Sequence, residues 1–268
     1  MLSFIRTLEA RVNEADSLLC VGLDPHPDML SEDTPVASCE FCLRLIEACA
    51  PYACAFKPNA AFFERYGAQG MAVLRDVIAA VPADIPVILD AKRGDIASTA
   101  EAYAHAVFDT LGAHALTASP YLGSDSLAPF MCRPERGVFV LCKTSNESAD
   151  ELQALLVDDE PIYLHVARKA QSWSTHDNLG IVVGATDPQA LARVRFAAPS
   201  LWFLSPGVGA QGANLDAALE AGLRPDGMGM LVSVSRSIAC DSDPAVASAN
   251  LRKGINAVRR ASASTMAQ

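Results

Sequence analysis

The chain alternates between short, unbroken apolar runs and longer stretches in which apolar residues recur every three or four positions. The first such stretch, roughly Phe4 to Ala15, has helical spacing, and Leu18 to Leu23 follows it as a first strand. A helix near Val36–Ala50 leads to a second strand, Cys54–Lys57. A helix from about Ala61 to Val81 leads to a third, Val87–Asp90. A helix over Thr99–Leu111 precedes a fourth strand, Ala115–Ala118. The remaining strands fall at Val138–Cys142, Gly180–Val183, Leu201–Leu204 and Gly229–Val234, and a last helix covers about Pro244–Arg260. Eight strands, each followed by a helical run, predict an α/β fold: a single (β/α)8 TIM barrel over 1–268, with a frayed tail at about 261–268. The least regular part, Asn146–Asn178, carries acidic residues at 158–160 and a helical run near Ile162–Trp173. It reads as an elaborated connection between strands five and six rather than a second domain.

Composition narrows the partners. The 268 residues suffice for one large core, and the balance of 51% hydrophobic to 19% charged residues is that of a globular protein. A net charge of −10 argues against nucleic acid or an anionic membrane surface as the partner. A phosphate remains compatible, because one Arg or a ring of backbone N–H groups outweighs bulk charge at short range. No apolar run approaches the roughly 20 residues of a membrane span. The N-terminal stretch carries Glu9 and Glu14 and lacks the apolar region of a signal peptide, so a cytoplasmic location is expected. Of the 8 cysteines, Cys20, Cys54 and Cys142 lie in strand-like runs, while Cys39, Cys42 and Cys49 share helical core spacing. Neither disulfides nor a metal site is expected from them. His26, His105, His114, His165 and His176 are scattered and read as surface or satisfied structural groups, and Trp173 and Trp202 as core or subsurface.

The chemistry concentrates at strand ends, where a barrel of this kind builds its active site. In IPVILDAKRGDIAST, residues 85–99, an apolar run ends in Asp90, Lys92 and Asp95. Alternation along a strand puts Asp90 and Lys92 on one face. Lys57 ends the second strand and Asp24 the first, completing an array of alternating charge. Such an array is costly to assemble as a structural network, which favours a catalytic role. The loop after the seventh strand, SPGVGAQG at 205–212, offers unobstructed amides and Gln211, and Arg236 stands at the end of the eighth. Loops in these two places commonly hold a phosphate in TIM barrels.

The motif LDAKRGDI at 89–96, with FKPN at 56–59, SPGVGAQG at 205–212 and SRSI at 235–238, resembles the orotidine 5′-monophosphate decarboxylase family. FKPNAAFFERYG and SPYLGSDSL are similar to its bacterial branch of mycobacterial type, and the resemblance runs from Gly22 to Arg236. It implies cofactor-independent conversion of orotidine 5′-monophosphate to uridine 5′-monophosphate and CO2, the last step of de novo pyrimidine synthesis. Lys57, Asp90, Lys92 and Asp95 would form the charged catalytic tetrad, with Lys92 protonating C6 and Asp90 near the departing carboxylate. Lys57 and Asp24 would hold the ribose hydroxyls. Asp95 and Thr99 would reach the neighbouring subunit's site, implying a homodimer with shared sites. Ser145, with Thr144 as the adjacent alternative, would bind the pyrimidine edge. Gln211 and Arg236 would bind phosphate, the loop around Gln211 acting as a lid. Where many relatives carry Gly, this chain carries Ser235, whose backbone N–H is still available to a phosphate. Two alternatives share the barrel: a metal-dependent sugar-phosphate decarboxylase or aldolase, and a non-catalytic nucleotide-phosphate-binding barrel.

Overall fold

The computed structural model describes residues 2–208 and 213–266. Helix α1 (Phe4–Ala15) is started by Ser3, whose Oγ accepts from the Arg6 amide, and it turns Phe4, Leu8, Val12 and Ala15 into the core. The eight barrel strands are β1 (Leu19–Leu23), β2 (Ala55–Pro58), β3 (Ile88–Arg93), β4 (Ala115–Ala118), β5 (Gly137–Lys143), β8 (Leu179–Val183), β9 (Trp202–Pro206) and β10 (Met230–Val234). They are all parallel and pair in the order β2-β1-β10-β9-β8-β5-β4-β3. Bridges Phe56↔Val87 and Asn59↔Asp90 join the two outer strands and close the ring. Most strand residues are buried on both faces, as a parallel sheet wrapped by helices requires. The expected (β/α)8 barrel is therefore present.

The helical layer consists of α2 (Pro35–Cys49), α3 (Ala61–Glu64), α4 (Gly67–Ala80), α5 (Ala97–His105), α6 (Ser124–Met131), α7 (Asp150–Gln153), α8 (Ile162–Trp173), α9 (Pro188–Ala197), α10 (Leu215–Gly222), α11 (Arg236–Ala239) and α12 (Pro244–Met266). Its starts follow from local chemistry. Thr34, Asp187 and Asn214 each accept a hydrogen bond from the amide three residues on, and Pro35 and Pro188 occupy first-turn positions with no amide to satisfy. At the N-terminal end of the barrel Phe4 meets Phe139 edge-on, with ring centroids 6.1 Å apart, and Glu9 accepts from Trp202 Nε1. Trp202 is fully buried, and Trp173 packs against the core.

The structure departs from the expected elements in four places. The helix expected over Ala61–Val81 is broken into α3 and α4 at Gly67, whose φ of +62° a residue with a Cβ adopts only under strain. The helix after β3 begins at Ala97 and loosens into a π-turn over Ala106–Thr110. The irregular connection contains a small antiparallel hairpin, β6 (Leu156–Val157) with β7 (Glu160–Pro161). Its two-residue turn places Asp158 and Asp159 at φ +50° and +60°, the pattern of a type I′ turn, which Asp tolerates. Finally, the helical backbone of α12 runs on to Met266, past the expected helix end at about Arg260. Ala261, Ala263 and the short residues around them carry no strong helix breaker.

Candidate active site

The C-terminal ends of the barrel strands surround a cleft with two connected parts. One is lined by Lys57, Asp90, Lys92, Thr117, Ser145 and Pro206. The other is lined by Asp24, His26, Lys57, Phe62, Ser235 and Arg236, with Pro206 and Gly207 on its wall. Lys57 and Pro206 border both, so one elongated ligand can cross from the first to the second.

Asp90 is the hub of the charged half. Its Oδ2 accepts from Lys57 Nζ at 3.2 Å, and its Oδ1 accepts from Lys92 Nζ at 2.7 Å and from Thr117 Oγ1 at 2.9 Å. Burial alone would push the carboxyl pKa up; Lys57, Lys92 and the Thr117 hydroxyl more than reverse this and hold it well below the usual range. Burial likewise works against a charged Lys57. Asp24 first, and then Asp90, outweigh it, so the Lys57 pKa is raised and the ammonium is kept. Among the described residues Asp24 Oδ1 is itself buried without a hydrogen-bond partner, as is Ser235 Oγ. Below them Cys20 is fully buried and its thiol is pushed up to about 12 by burial, so it stays protonated beside the charges.

The two lysines differ in setting. The Lys57 side chain is 9% exposed and that of Lys92 is 50% exposed, so Lys92 is the one an incoming ligand meets from the open side. Lys92 also has φ +49°, a left-handed conformation that costs a non-glycine residue about 1–3 kcal/mol. The strain sits in a bulge. Leu89 is level with Leu116 and Arg93 with Ala118, so β3 spends four steps where β4 spends two. Asp90 and Lys92 meet as strand alternation predicts, but through a bulged backbone.

The structure brings Lys57, Asp90 and Lys92 together and sets Asp24 beside them. Asp95 lies past the strand, with its Oδ1 accepting from the Ile96 amide, and among the described residues it forms no ion pair with either lysine. Thr99 is exposed on α5. Ser145 lies at the end of β5, packed over Gly184, where a Cβ would come within 2.9 Å of it. Its neighbour Thr144 is committed elsewhere. The Thr144 amide donates to Gln153 Oε1, and Gln153 Nε2 donates to Thr144 Oγ1, both at 2.8 Å. Arg236 is exposed at the start of α11 and Ser235 precedes it. Gly22 makes room for Ser235: a Cβ at 22 would lie 2.6 Å from that of Ser235. Gln211 and the expected lid around it lie outside the described residues; the Val208↔Ala213 bridge joins the stem of that loop.

Several side chains of the cleft lie outside the sequence expectations. Thr117 is buried at 1% exposure and ties the Asp90–Lys92 segment together. The signal was present, since Thr117 is the one polar side chain in the ALTA strand. His26, which reads from sequence as a surface or satisfied structural group, lines the cleft and packs on Phe62, with centroids 4.3 Å apart. Gln153 had no signal, because its target lies across a loop whose path the sequence does not specify. Among the described residues no three His, Cys, Asp or Glu side chains are grouped as metal ligands would be.

Residues 17–251 match the family model described as orotidine 5′-phosphate decarboxylase / HUMPS family. An orotidine 5′-phosphate decarboxylase of Roseiflexus castenholzii is 46% identical over 97% of this chain and all of its own length. The structure of Leishmania donovani OMP decarboxylase superposes with a TM-score of 0.90 at 56% identity, covering 96% of this chain and 99% of that one. The longer UMP synthase of the same organism gives a TM-score of 0.92 at 57% identity; 97% of this chain spans 57% of that one. With most of its length matched by the family model and by curated sequences of similar size, the chain belongs to the orotidine 5′-phosphate decarboxylase / HUMPS family.

Proposed function

We propose that this protein decarboxylates orotidine 5′-monophosphate to uridine 5′-monophosphate and CO2, as the last step of de novo UMP synthesis, without a cofactor. The observation that carries this reading is the Lys57–Asp90–Lys92 array in a cleft that also reaches Arg236, in a chain of this family.

The reaction sets a specific demand. Loss of CO2 from C6 leaves an electron pair in the plane of the ring, where the π system cannot accept it. Stabilisation must then come from charge placed beside C6. Lys92 supplies it as a fixed ammonium and then donates its proton to C6. Asp90, held ionised by both lysines, aims Lys92 and faces the departing carboxylate. Lys57 and Asp24 take the ribose hydroxyls, and Ser145 takes the pyrimidine edge. Arg236, with Gln211 and the Ser235–Arg236 backbone, takes the phosphate. Binding energy gathered there, remote from C6, helps hold the ring against the charged half.

The positions of Asp95, half-buried past the end of β3, and Thr99, exposed on α5, fit a homodimer in which each completes the partner's site. Exposed Ile96, Tyr121 and Leu122 on the adjacent loops after β3 and β4 supply apolar surface for that contact. No described helix is long and apolar enough to cross a membrane, and a cytoplasmic location suits a nucleotide-synthesis enzyme. A spectrophotometric assay with orotidine 5′-monophosphate tests the activity directly: loss of the substrate chromophore is expected, and its persistence would leave only a binding role. Full turnover in EDTA is expected, because Lys57 stands where a metal-dependent relative would need a carboxylate; abolition by EDTA would favour that alternative.

A further inference from the structure

We infer that Thr117 is the positioning residue that sets the Asp90–Lys92 pair, acting through one hydroxyl that fixes both the backbone and the carboxylate. Its Oγ1 accepts from the Ala91 amide at 3.1 Å and from the Lys92 amide at 3.0 Å, and donates to Asp90 Oδ1 at 2.9 Å. A hydroxyl has one proton to give and two lone pairs to receive, so every bond it can make is spent on three consecutive residues of β3.

The bulge explains why a side chain must do this. Between the Leu89↔Leu116 and Arg93↔Ala118 pairings, the β4 backbone has too few carbonyls in register for the extra residues of β3. The Ala91 and Lys92 amides would otherwise be left without a ladder partner in a part-buried setting. Thr117, at 1% exposure, takes both. By doing so it holds Lys92 at φ +49°, a conformation the residue would leave if its amide were released. The same hydroxyl donates to the Asp90 oxygen that receives Lys92, so it fixes the rotation of the carboxylate between the two lysines. Thr117 thereby determines where the ammonium points without itself needing to touch the reacting carbon.

This inference rests on the reading of Lys92 as proton donor, and the wild-type rate together with Lys92→Ala tests that reading separately. Thr117→Val keeps the shape and removes the hydroxyl; Thr117→Ser keeps the hydroxyl and removes a methyl group. Steady-state turnover of orotidine 5′-monophosphate is measured for both, with UMP affinity as a check that the phosphate end is intact. For Thr117→Val we expect kcat to fall at least 30-fold, on the order of losing two to three hydrogen bonds around a charged pair. KM and UMP affinity should stay within about threefold, since Arg236 and Ser235 are untouched. Thr117→Ser should keep kcat within about fivefold. A Thr117→Val enzyme with near-wild-type kcat would overturn the inference. So would a Thr117→Ser enzyme as slow as the Val variant, because the methyl group would then be what matters. If Thr117→Val does not fold, Thr117→Cys takes its place: its weaker thiol should lower kcat below that of the Ser variant at unchanged KM, and equal kcat in the two would overturn the proposal.

Discussion

Removing the ammonium of Lys92 should separate chemistry from binding. In Lys92→Ala, Asp90 keeps Lys57 at 3.2 Å and Thr117 at 2.9 Å, so the carboxylate is not left alone. Because the Lys92 side chain is half exposed, its ion pair contributes only about 0–1 kcal/mol to stability. The loss in the transition state is far larger. An ammonium about 3 Å from a carbanion is worth about 5 kcal/mol at an effective dielectric constant of about 20. That alone corresponds to a rate factor of roughly 10^4. Proton delivery by a positioned acid contributes about 10^2–10^4, partly through the same charge, so 10^4 is a lower bound on the loss. The assay pairs single-turnover decay of the substrate chromophore with UMP titration and thermal melting. The expectation is a kcat lower by at least about 10^4 with unchanged melting and UMP affinity within about threefold. A kcat within a hundredfold of wild type would refute both roles given to Lys92. A parallel loss of rate and UMP affinity would make it a binding residue instead.

Arg236→Ala should raise KM by roughly 10–100-fold through the loss of a charged hydrogen bond, with a smaller change in kcat; an unchanged KM would remove Arg236 from the phosphate site. Mixing two inactive variants, Asp95→Ala and Lys92→Ala, should restore about a quarter of wild-type activity if the sites are shared across a two-fold axis, because each hybrid dimer then contains one intact site. A mixture as inactive as its parts, in preparations shown to exchange subunits, would mean that Asp95 serves its own chain. His114 gives a stability test. Its Nδ1 accepts from the Val87 amide at 3.1 Å, and burial first, then Arg136, lowers its pKa below the ordinary 6.5. The unfolded chain therefore takes up this proton before the folded one. The neutral imidazole's contribution is fully present above about pH 6.5 and is lost as pH falls towards the folded pKa. Urea midpoints for wild type and His114→Asn should diverge less at pH 5.5 than at pH 7.5; a constant difference would show that His114 is not titrating.

The sequence by itself determined the barrel and most members of its site. Short apolar runs at regular intervals can be buried on two faces only in a parallel sheet wrapped by helices, so the eight strands were legible within a few residues. Asp90 and Lys92 share a strand, and two-residue alternation is enough to place them together. Lys57, Asp24, Ser145, Ser235 and Arg236 could be placed at the mouth because each ends or follows a strand. What tertiary structure decided is what depends on register. The β3 bulge is a mismatch between two strands, and no local pattern in ILDAKR announces it, yet it bends Lys92 into a left-handed conformation. Thr117 acquires its role only because that mismatch leaves two amides facing its hydroxyl. Gln153 likewise reaches Thr144 only through the path of the long connection. His26 turns towards the cleft because Phe62, on α3, offers it a surface to stack on. Asp95 shows the remaining boundary: its sequence motif joins it to the lysines, while among the described residues of the single folded chain it pairs with neither and accepts from the Ile96 amide instead, because its place past the bulge follows the path of the loop rather than strand alternation.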